Sequence, residues 1–431
     1  MTQNGLTVGI NEKPKSIGSW IILSLQHVFA MFGATVLVPM LTGLDVGVAL
    51  VASGIGTLIY ILCTKGKVPV YLGSSFAYIT TISAAIVATG SASAAYLGLM
   101  VVGIIYVLIA LIIFFVGSGW LKKLLPPVVI GPMIIIIGLT LAPVAVLNFG
   151  LLGMQPLYDN GLYIGLAGAA WKVPLVAFIT FATVVILTTK AKGFLKIVPF
   201  IIAILVGYIF SVIFGVVNLG ETFSNVSFFQ VPNFSIIGTY DFNFSQVLVF
   251  APLAFVTIAE HIGDHVVLGE ITGNDFIENP GLHRTLLGDG IATFVSASLG
   301  GPANTTYGEN TGVIALTKVG SVFVIGLAAI FAILLGFLGY IQAFIMSIPW
   351  AVIGGMTIIL YGLIAANGVK VLIKDKTDLS KMKNLIIVST MLVIGLGGAF
   401  INVTASTTLQ GMSLAAIVGI ILNQILTALE K

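Results

Sequence analysis

The chain has 431 residues, 58% of them hydrophobic and 8% charged, with a mean hydropathy of +1.16. Soluble globular domains carry about 25% charged residues, so this composition excludes a soluble domain. A net charge of +3 is too small for a nucleic-acid binder, and the single cysteine, Cys63, excludes an intrachain disulfide and any cysteine-based metal cluster.

Apolar runs of about 20 residues recur along the whole chain, as in a polytopic α-helical membrane protein. The roughly 10-residue alternating segments of a membrane barrel do not occur. Residues 1–17 form a polar tail carrying Glu12, Lys13 and Lys15. The apolar run after it reaches Leu44 without a small-residue cleavage site, so it is expected to be the first span and not a cleaved signal. Fourteen segments are predicted, near 18–42, 46–63, 69–88, 95–117, 126–148, 172–189, 195–218, 246–268, 285–300, 303–317, 320–340, 350–366, 384–400 and 409–428. The third, ninth and tenth are short or interrupted by Gly, Ser and Thr. With both termini cytoplasmic, 17 of the 18 Lys and Arg residues fall on the cytoplasmic side and only Lys172 on the other, the asymmetry that the positive-inside rule demands. The long outward connections, about 149–171 and 219–245, are expected to be ordered loops.

The chain divides as seven plus seven segments. The third reads Tyr71-Leu-Gly-Ser-Ser-Phe-Ala-Tyr78 and the tenth Pro302-Ala-Asn-Thr-Thr-Tyr-Gly-Glu-Asn310. Both are too polar and glycine-rich to begin as helices, and both run into an apolar helical stretch. Seven is odd, so the second half must have inverted topology. Paired interrupted segments in inverted repeats point to a transporter's substrate site. Extended backbone at membrane depth has to be paired or line a cavity, and each half-helix N-terminus offers free N–H groups with a positive dipole.

Ionisable residues inside a membrane are costly and functional by default. The eighth segment reads Thr257-Ile-Ala-Glu-His-Ile-Gly-Asp-His-Val266. Glu260 and Asp264 are four apart and share one helix face; His261 and His265 share the neighbouring face and read as structural. Glu309 sits where the tenth segment turns helical. His27 lies in the first segment, which corresponds to the eighth. Glu260, Asp264, Glu309 and His27 are therefore expected to converge on the two half-helix ends. Asp289 and Glu270, near segment ends, read as solvated. His261-Ile-Gly-Asp-His265 resembles a zinc-protease motif with Asp for Glu, but it lacks a third ligand and a general base, and Gly263 weakens its helix. No phosphate-cradling loop occurs. A channel or facilitator would favour rings of like groups, whereas this constellation is asymmetric. Secondary transport, with no enzymatic activity, no cofactor and no metal, fits the residues best.

These residues, together with Ser24-Leu-Gln-His-Val-Phe-Ala-Met-Phe-Gly-Ala-Thr-Val-Leu-Val-Pro39, Pro280-Gly-Leu-His-Arg284 and Glu309-Asn-Thr-Gly-Val-Ile-Ala-Leu-Thr-Lys318, resemble the nucleobase–ascorbate transporter family over nearly the whole chain, most closely its bacterial uracil-transporting branch. The resemblance implies an all-α polytopic membrane protein of fourteen segments in a 7+7 inverted repeat, with short antiparallel strands in segments three and ten. It implies a core domain (18–117 and 246–340) and a gate domain (118–245 and 341–431), with hinges near 118–125, 219–245 and 341–349. Substrate would lie between them, hydrogen-bonded by Glu260 and Glu309 and by backbone groups at Phe76, Tyr307 and Gly308, with Tyr361 approaching from the gate. Protons would travel on Asp264, His27 or Glu260; some members carry histidine where this chain has Asp264. The expected activity is proton-coupled uracil import across the cell membrane, with xanthine or uric acid as the alternative substrate and a homodimer as the expected assembly. The chemistry agrees. Uracil offers two N–H donors and two carbonyl acceptors, carboxylates only accept, and a neutral base needs a coupled ion for uphill uptake.

Overall fold

In the computed structural model the described residues are 5–151, 171–240, 244–404 and 407–430. The first half runs through α1 (Ile17–Thr42), α2 (Val46–Cys63), strand β1 (Leu72–Ser74), a helical turn at Phe76–Tyr78 that continues as α3 (Ile79–Thr89), and α4 (Ser93–Val116). It goes on through the short α5 (Gly119–Leu124), α6 (Pro127–Thr140), α7 (Ala142–Phe149), α8 (Lys172–Lys190), the short α9 (Phe194–Ile197) and α10 (Pro199–Ile213). The connection carries α11 (Leu219–Phe223). The second half comprises α12 (Phe244–Thr272), α13 (Leu282–Ser298), strand β2 (Asn304–Thr306), α14 (Gly308–Thr317), α15 (Val322–Gly336), α16 (Gly339–Met346), α17 (Trp350–Lys374), α18 (Met382–Leu396), strands β3 (Phe400–Thr404) and β4 (Thr407–Gln410), and α19 (Gly411–Leu429). Each of the fourteen predicted segments corresponds to one of these helices or strand–helix pairs, the fifth being α6 with α7. The β3–β4 hairpin was not expected.

The boundaries follow local chemistry. The Asp45 carboxylate accepts the Val48 N–H at 2.8 Å and starts α2, as N-cap side chains do. Gly43, at φ 76°, ends α1 in the left-handed region that favours glycine. Among the described residues, seven helices are by themselves long and apolar enough to cross a membrane. Exposed Phe115, Phe178, Ile209 and Leu334 give the apolar outer surface that lipid requires.

Helix packing carries the repeat. α4 packs on α13 and α2 on α15; α12 packs on α4 and α1 on α15; α8 packs on α10 and α18 on α19. Likewise α8 packs on α17 and α18 on α6, and α1 packs on α10 and α12 on α19. Exchanging segments one to seven with eight to fourteen turns each contact into its partner, so the chain is a 7+7 repeat in its packing as well as in its sequence pattern. Small residues set the closest approaches: a Cβ on Gly103 would lie 2.7 Å from the Gly290 carbonyl oxygen, and one on Gly290 2.8 Å from that of Gly103, the close backbone contact expected of membrane helices.

β1 and β2 pair antiparallel, Leu72 with Thr306, Gly73 with Thr305 and Ser74 with Asn304, as inverted halves require. Their outer backbone groups are also satisfied. On the β1 side, Ser53 donates to the Leu72 carbonyl at 2.6 Å and Thr57 accepts the Leu72 N–H at 2.9 Å. On the β2 side, Thr293 donates to the Asn304 carbonyl at 3.0 Å and Ser296 to that of Pro302. Extended backbone at membrane depth is thus held in part by hydroxyl groups of the neighbouring helices α2 and α13.

Candidate substrate site

A cavity of about 580 Å³ lies between α12, the β2–α14 turn and Phe76 on one side and α6 and α17 on the other. It runs from mid-helix residues to Glu270 and Lys374, whose exposed side chains pair at 2.5 Å at its mouth.

α12 presents Glu260, Gly263, Asp264, Val267 and Glu270 to this space, a spacing that places all five on one helix face. Glu309 enters from the first turn of α14, beside Gly308 at the helix start. The structure therefore brings Glu260, Asp264, Glu309, Gly308 and Phe76 to one cavity. Among the described residues, no ion pair involves Glu260 or Glu309. Asp264 accepts a hydrogen bond from the Thr306 hydroxyl at 2.5 Å, which ties it to β2.

The remaining expected residues sit differently. Tyr307 lines the cavity, but its hydroxyl donates to the Ser74 carbonyl at 3.0 Å and accepts from Thr35 at 3.2 Å. Its ring therefore braces β1, and its backbone is engaged as well: the Tyr307 N–H donates to the Tyr71 carbonyl at 3.1 Å and its carbonyl accepts from the Thr311 N–H at 3.2 Å. A Cβ on Gly73 would come within 2.4 Å of that ring, so only glycine fits there. Tyr361 is buried in α17 and stands edge-on to Phe76, ring centres 6.3 Å apart, beside the cavity and outside its lining. Its hydroxyl has no partner among the described residues. His27 is buried and also outside the lining. Asn310 donates to the His27 carbonyl at 3.0 Å and to its Nδ1 at 3.1 Å. The carbonyl can only accept, which fixes the amide orientation, so His27 accepts at Nδ1 and pins α1 to α14 next to Glu309.

The expectation for Asp289 is overturned. It is fully buried, and its Oδ2 lies 2.9 Å from His261 Nδ1. α13 begins at Leu282, three residues earlier than the predicted segment, which moves Asp289 from the end of a span into its interior. Its Oδ1 and His261 Nε2 have no partner among the described residues. His265 Nδ1 donates to the His261 carbonyl at 2.6 Å, and the Tyr60 hydroxyl closes on its Nε2. Both histidines of the zinc-like motif are thereby committed to a structural network behind α12, while Asp264 faces the cavity. Among the described residues no group of three acids, histidines or cysteines is placed to hold a metal. Glu270 is solvated, as expected. Thr306 and the His261–Asp289 pair escaped the sequence reading. The Gly-Asp-Gly run at 288–290 inside an apolar segment was the available signal.

The arrangement gathers the carboxyl groups of Glu260, Asp264 and Glu309 and the start of a half-helix in one cavity, suited to a planar ligand with both donors and acceptors. The model of the protein family described as "Permease family" matches residues 18–404. The chain belongs to this permease family. It is 48% identical to the "Uracil permease" of Bacillus subtilis (strain 168) over 431 residues, covering 99% of this chain and 96% of that one. It is 41% identical to the "Uracil permease" of Escherichia coli (strain K12), covering 97% and 93%. Among solved structures, the transmembrane domain of the cyanobacterial bicarbonate transporter BicA superposes with a TM-score of 0.66 at 16% identity, covering 95% of this chain and 98% of that one. The murine Solute Carrier 26 family member A9 anion transporter in its inward-facing state gives 0.67 at 13% identity, covering 97% and 69%. At such identities the likeness concerns the fold alone, and the permease is a multi-pass membrane protein of that 7+7 architecture.

Proposed function

We propose that this permease is a proton-coupled symporter that imports uracil across the cytoplasmic membrane, with both termini on the cytoplasmic side. The carrying observation is the convergence of Glu260 and Glu309 on one cavity without a basic partner among the described residues. Each carboxylate accepts a ring N–H, and backbone groups at Phe76 and Gly308 meet the other edges of the ring. The names of the relatives support uracil as the base. Because the base is neutral, the membrane potential alone does not concentrate it, so a proton accompanies it. Asp264 and Glu260, both on the cavity face of α12, carry that proton, and His27 acts from behind by holding α14.

Alternating access fits the packing: a core of residues 18–117 and 246–340 faces a gate of residues 118–245 and 341–431 across the cavity. Relative movement of the two, bending near 118–125, 219–245 and 341–349, exposes the site to each side in turn. The test is uptake of labelled uracil into proteoliposomes with and without an inward proton gradient, with unlabelled xanthine, uric acid and other bases as competitors. Saturable uptake that accumulates only with the gradient supports the reading. Uptake without saturation or accumulation would mean a channel, and preferential competition by purines would move the substrate to xanthine or uric acid.

A further inference from the structure

Most helical glycines in the packed interior have a steric reason: a Cβ on Gly54, Gly98 or Gly290 would meet a neighbour within 2.6 Å. Gly263 does not. It lies inside α12, where glycine is disfavoured relative to alanine, yet an added Cβ there would meet no atom within 4 Å. The space beside it is the cavity, which it lines between Glu260 and Asp264. Gly308, next to Glu309, is also open on its cavity side. Each of the two glutamates thus stands beside a bare stretch of backbone.

α12 runs from the site toward Glu270 at the mouth, so Gly263 lies about 4.5 Å along the helix axis from Glu260 on the mouth side. A pyrimidine held through its N–H edge by Glu260 and Glu309 turns its opposite edge, the ring carbons, away from the acids. We infer that Gly263 is a specificity-determining position whose missing side chain leaves the space taken by the carbon edge of the ring and by a small substituent on it. The inference rests on the uracil reading and deepens it to uracil and 5-substituted uracils as a class. The room is set by one absent methyl group, so one added methyl group should move selectivity by about tenfold or more.

The experiment compares wild type and Gly263→Ala in proteoliposomes, measuring inhibition of labelled-uracil uptake by uracil, thymine and 5-bromouracil. Wild type is expected to accept thymine and 5-bromouracil within about tenfold of uracil. The variant is expected to keep uracil within severalfold and to weaken both substituted bases by a further tenfold or more. Gly326→Ala, a helical glycine in α15 away from the cavity whose Cβ would make only an ordinary contact, controls for the helix effect and should leave the ratios unchanged. Rejection of both substituted bases by the wild type overturns the inference without any variant, and so does an unchanged ratio in a folded Gly263→Ala protein that transports uracil. Failure of the wild type to bind any pyrimidine overturns the uracil reading as well, and that result is recognised because uracil itself is then inactive.

Discussion

Segments three and ten are held in the same way and end in different chemistry. Ser53 and Thr57 of α2 bind the backbone of β1, and Thr293 and Ser296 of α13 bind that of β2. Each strand then opens into a half-helix that faces the cavity. Beyond β1 the cavity meets the aromatic ring of Phe76, whereas beyond β2, past Tyr307 with its hydroxyl on β1, it meets the carboxyl group of Glu309. The same contrast holds one layer out: α12 brings Glu260 and Asp264 to the cavity, while in α1, its counterpart, His27 is turned toward Asn310. Among the described residues, the carboxylates lining the cavity all come from the second half. The repeat thus supplies symmetric backbone and two helix ends, while the carboxyl groups at the cavity come from one half alone.

The sharpest break in that contrast is at the two glutamates. Glu260→Gln or Glu309→Gln keeps the shape but places an amide donor against a ring N–H. Loss of such a buried match costs about 1–3 kcal/mol or more, so binding of uracil should weaken about 10- to 100-fold in a protein that still folds. Phe76→Leu, at the equivalent place in the other half, should cost less than tenfold. Calorimetric titration in detergent measures all three. Near-normal binding by either glutamine variant removes that residue from the site.

Asp264 separates binding from coupling. Asp264→Asn keeps a hydrogen-bonding partner for Thr306 but cannot release a proton. Exchange of bound base should continue within about tenfold of wild type, while accumulation driven by an imposed pH gradient should vanish. If the variant still concentrates uracil, the coupling proton rides on Glu260.

The scaffold side of the comparison is tested at Gly73. A Cβ there would clash with the Tyr307 ring and approach the Thr35 hydroxyl, within the paired segment of β1 and β2. Overpacking of this kind costs about 1–3 kcal/mol, so Gly73→Ala should lower thermal stability and disturb both half-helices together. Unchanged unfolding would show that β1 and β2 do not depend on each other.

Much of this organisation was legible in the sequence because the membrane makes exceptions conspicuous. Gly, Ser and Thr clusters at 71–78 and 301–308, and carboxylates at 260, 264 and 309, stand out where apolar residues are the rule. The pairing of β1 with β2 came from family resemblance, since no local pattern links residues some 230 positions apart. The β3–β4 hairpin was hidden in a short linker, although Ile401, Val403, Thr404, Thr407 and Thr408 form the β-branched run that marks a strand. Asp289 was misplaced because its partner His261 lies 28 residues away on another helix, and burial of that pair depends on where α13 starts. Tyr307 illustrates a further limit: its side chain braces β1, which only the packed structure shows.

The His261–Asp289 pair predicts a smaller, structural effect. Asp289→Asn preserves volume and replaces the carboxyl group opposite His261 Nδ1 by an amide. A buried hydrogen-bonding group left without its match costs about 1–3 kcal/mol, so the variant should unfold at lower temperature while uracil binding stays within severalfold. Binding lost with stability intact would instead place Asp289 in the substrate machinery.

The smallest effect is expected at the cavity mouth, where Glu270 of α12 and Lys374 of α17 join the two sides of the cavity. Both side chains are more than half exposed, at 59% and 53%, so water and salt screen the pair and its contribution falls in the range of about 0–1 kcal/mol. Glu270→Gln should therefore change the transport rate by no more than about fivefold, and the change should shrink as ionic strength rises and the Debye length falls below about 10 Å. Exchanging the charges, Glu270→Lys with Lys374→Glu, should restore the wild-type rate, because the pair acts across the two sides through its charge and not through contact with the base. Uptake kinetics at low and high salt decide the matter. Abolition of transport by Glu270→Gln, insensitive to salt and not rescued by the exchange, would extend the selective site from mid-membrane to the mouth, and the acids beside β2 would no longer be set apart from the rest of the cavity.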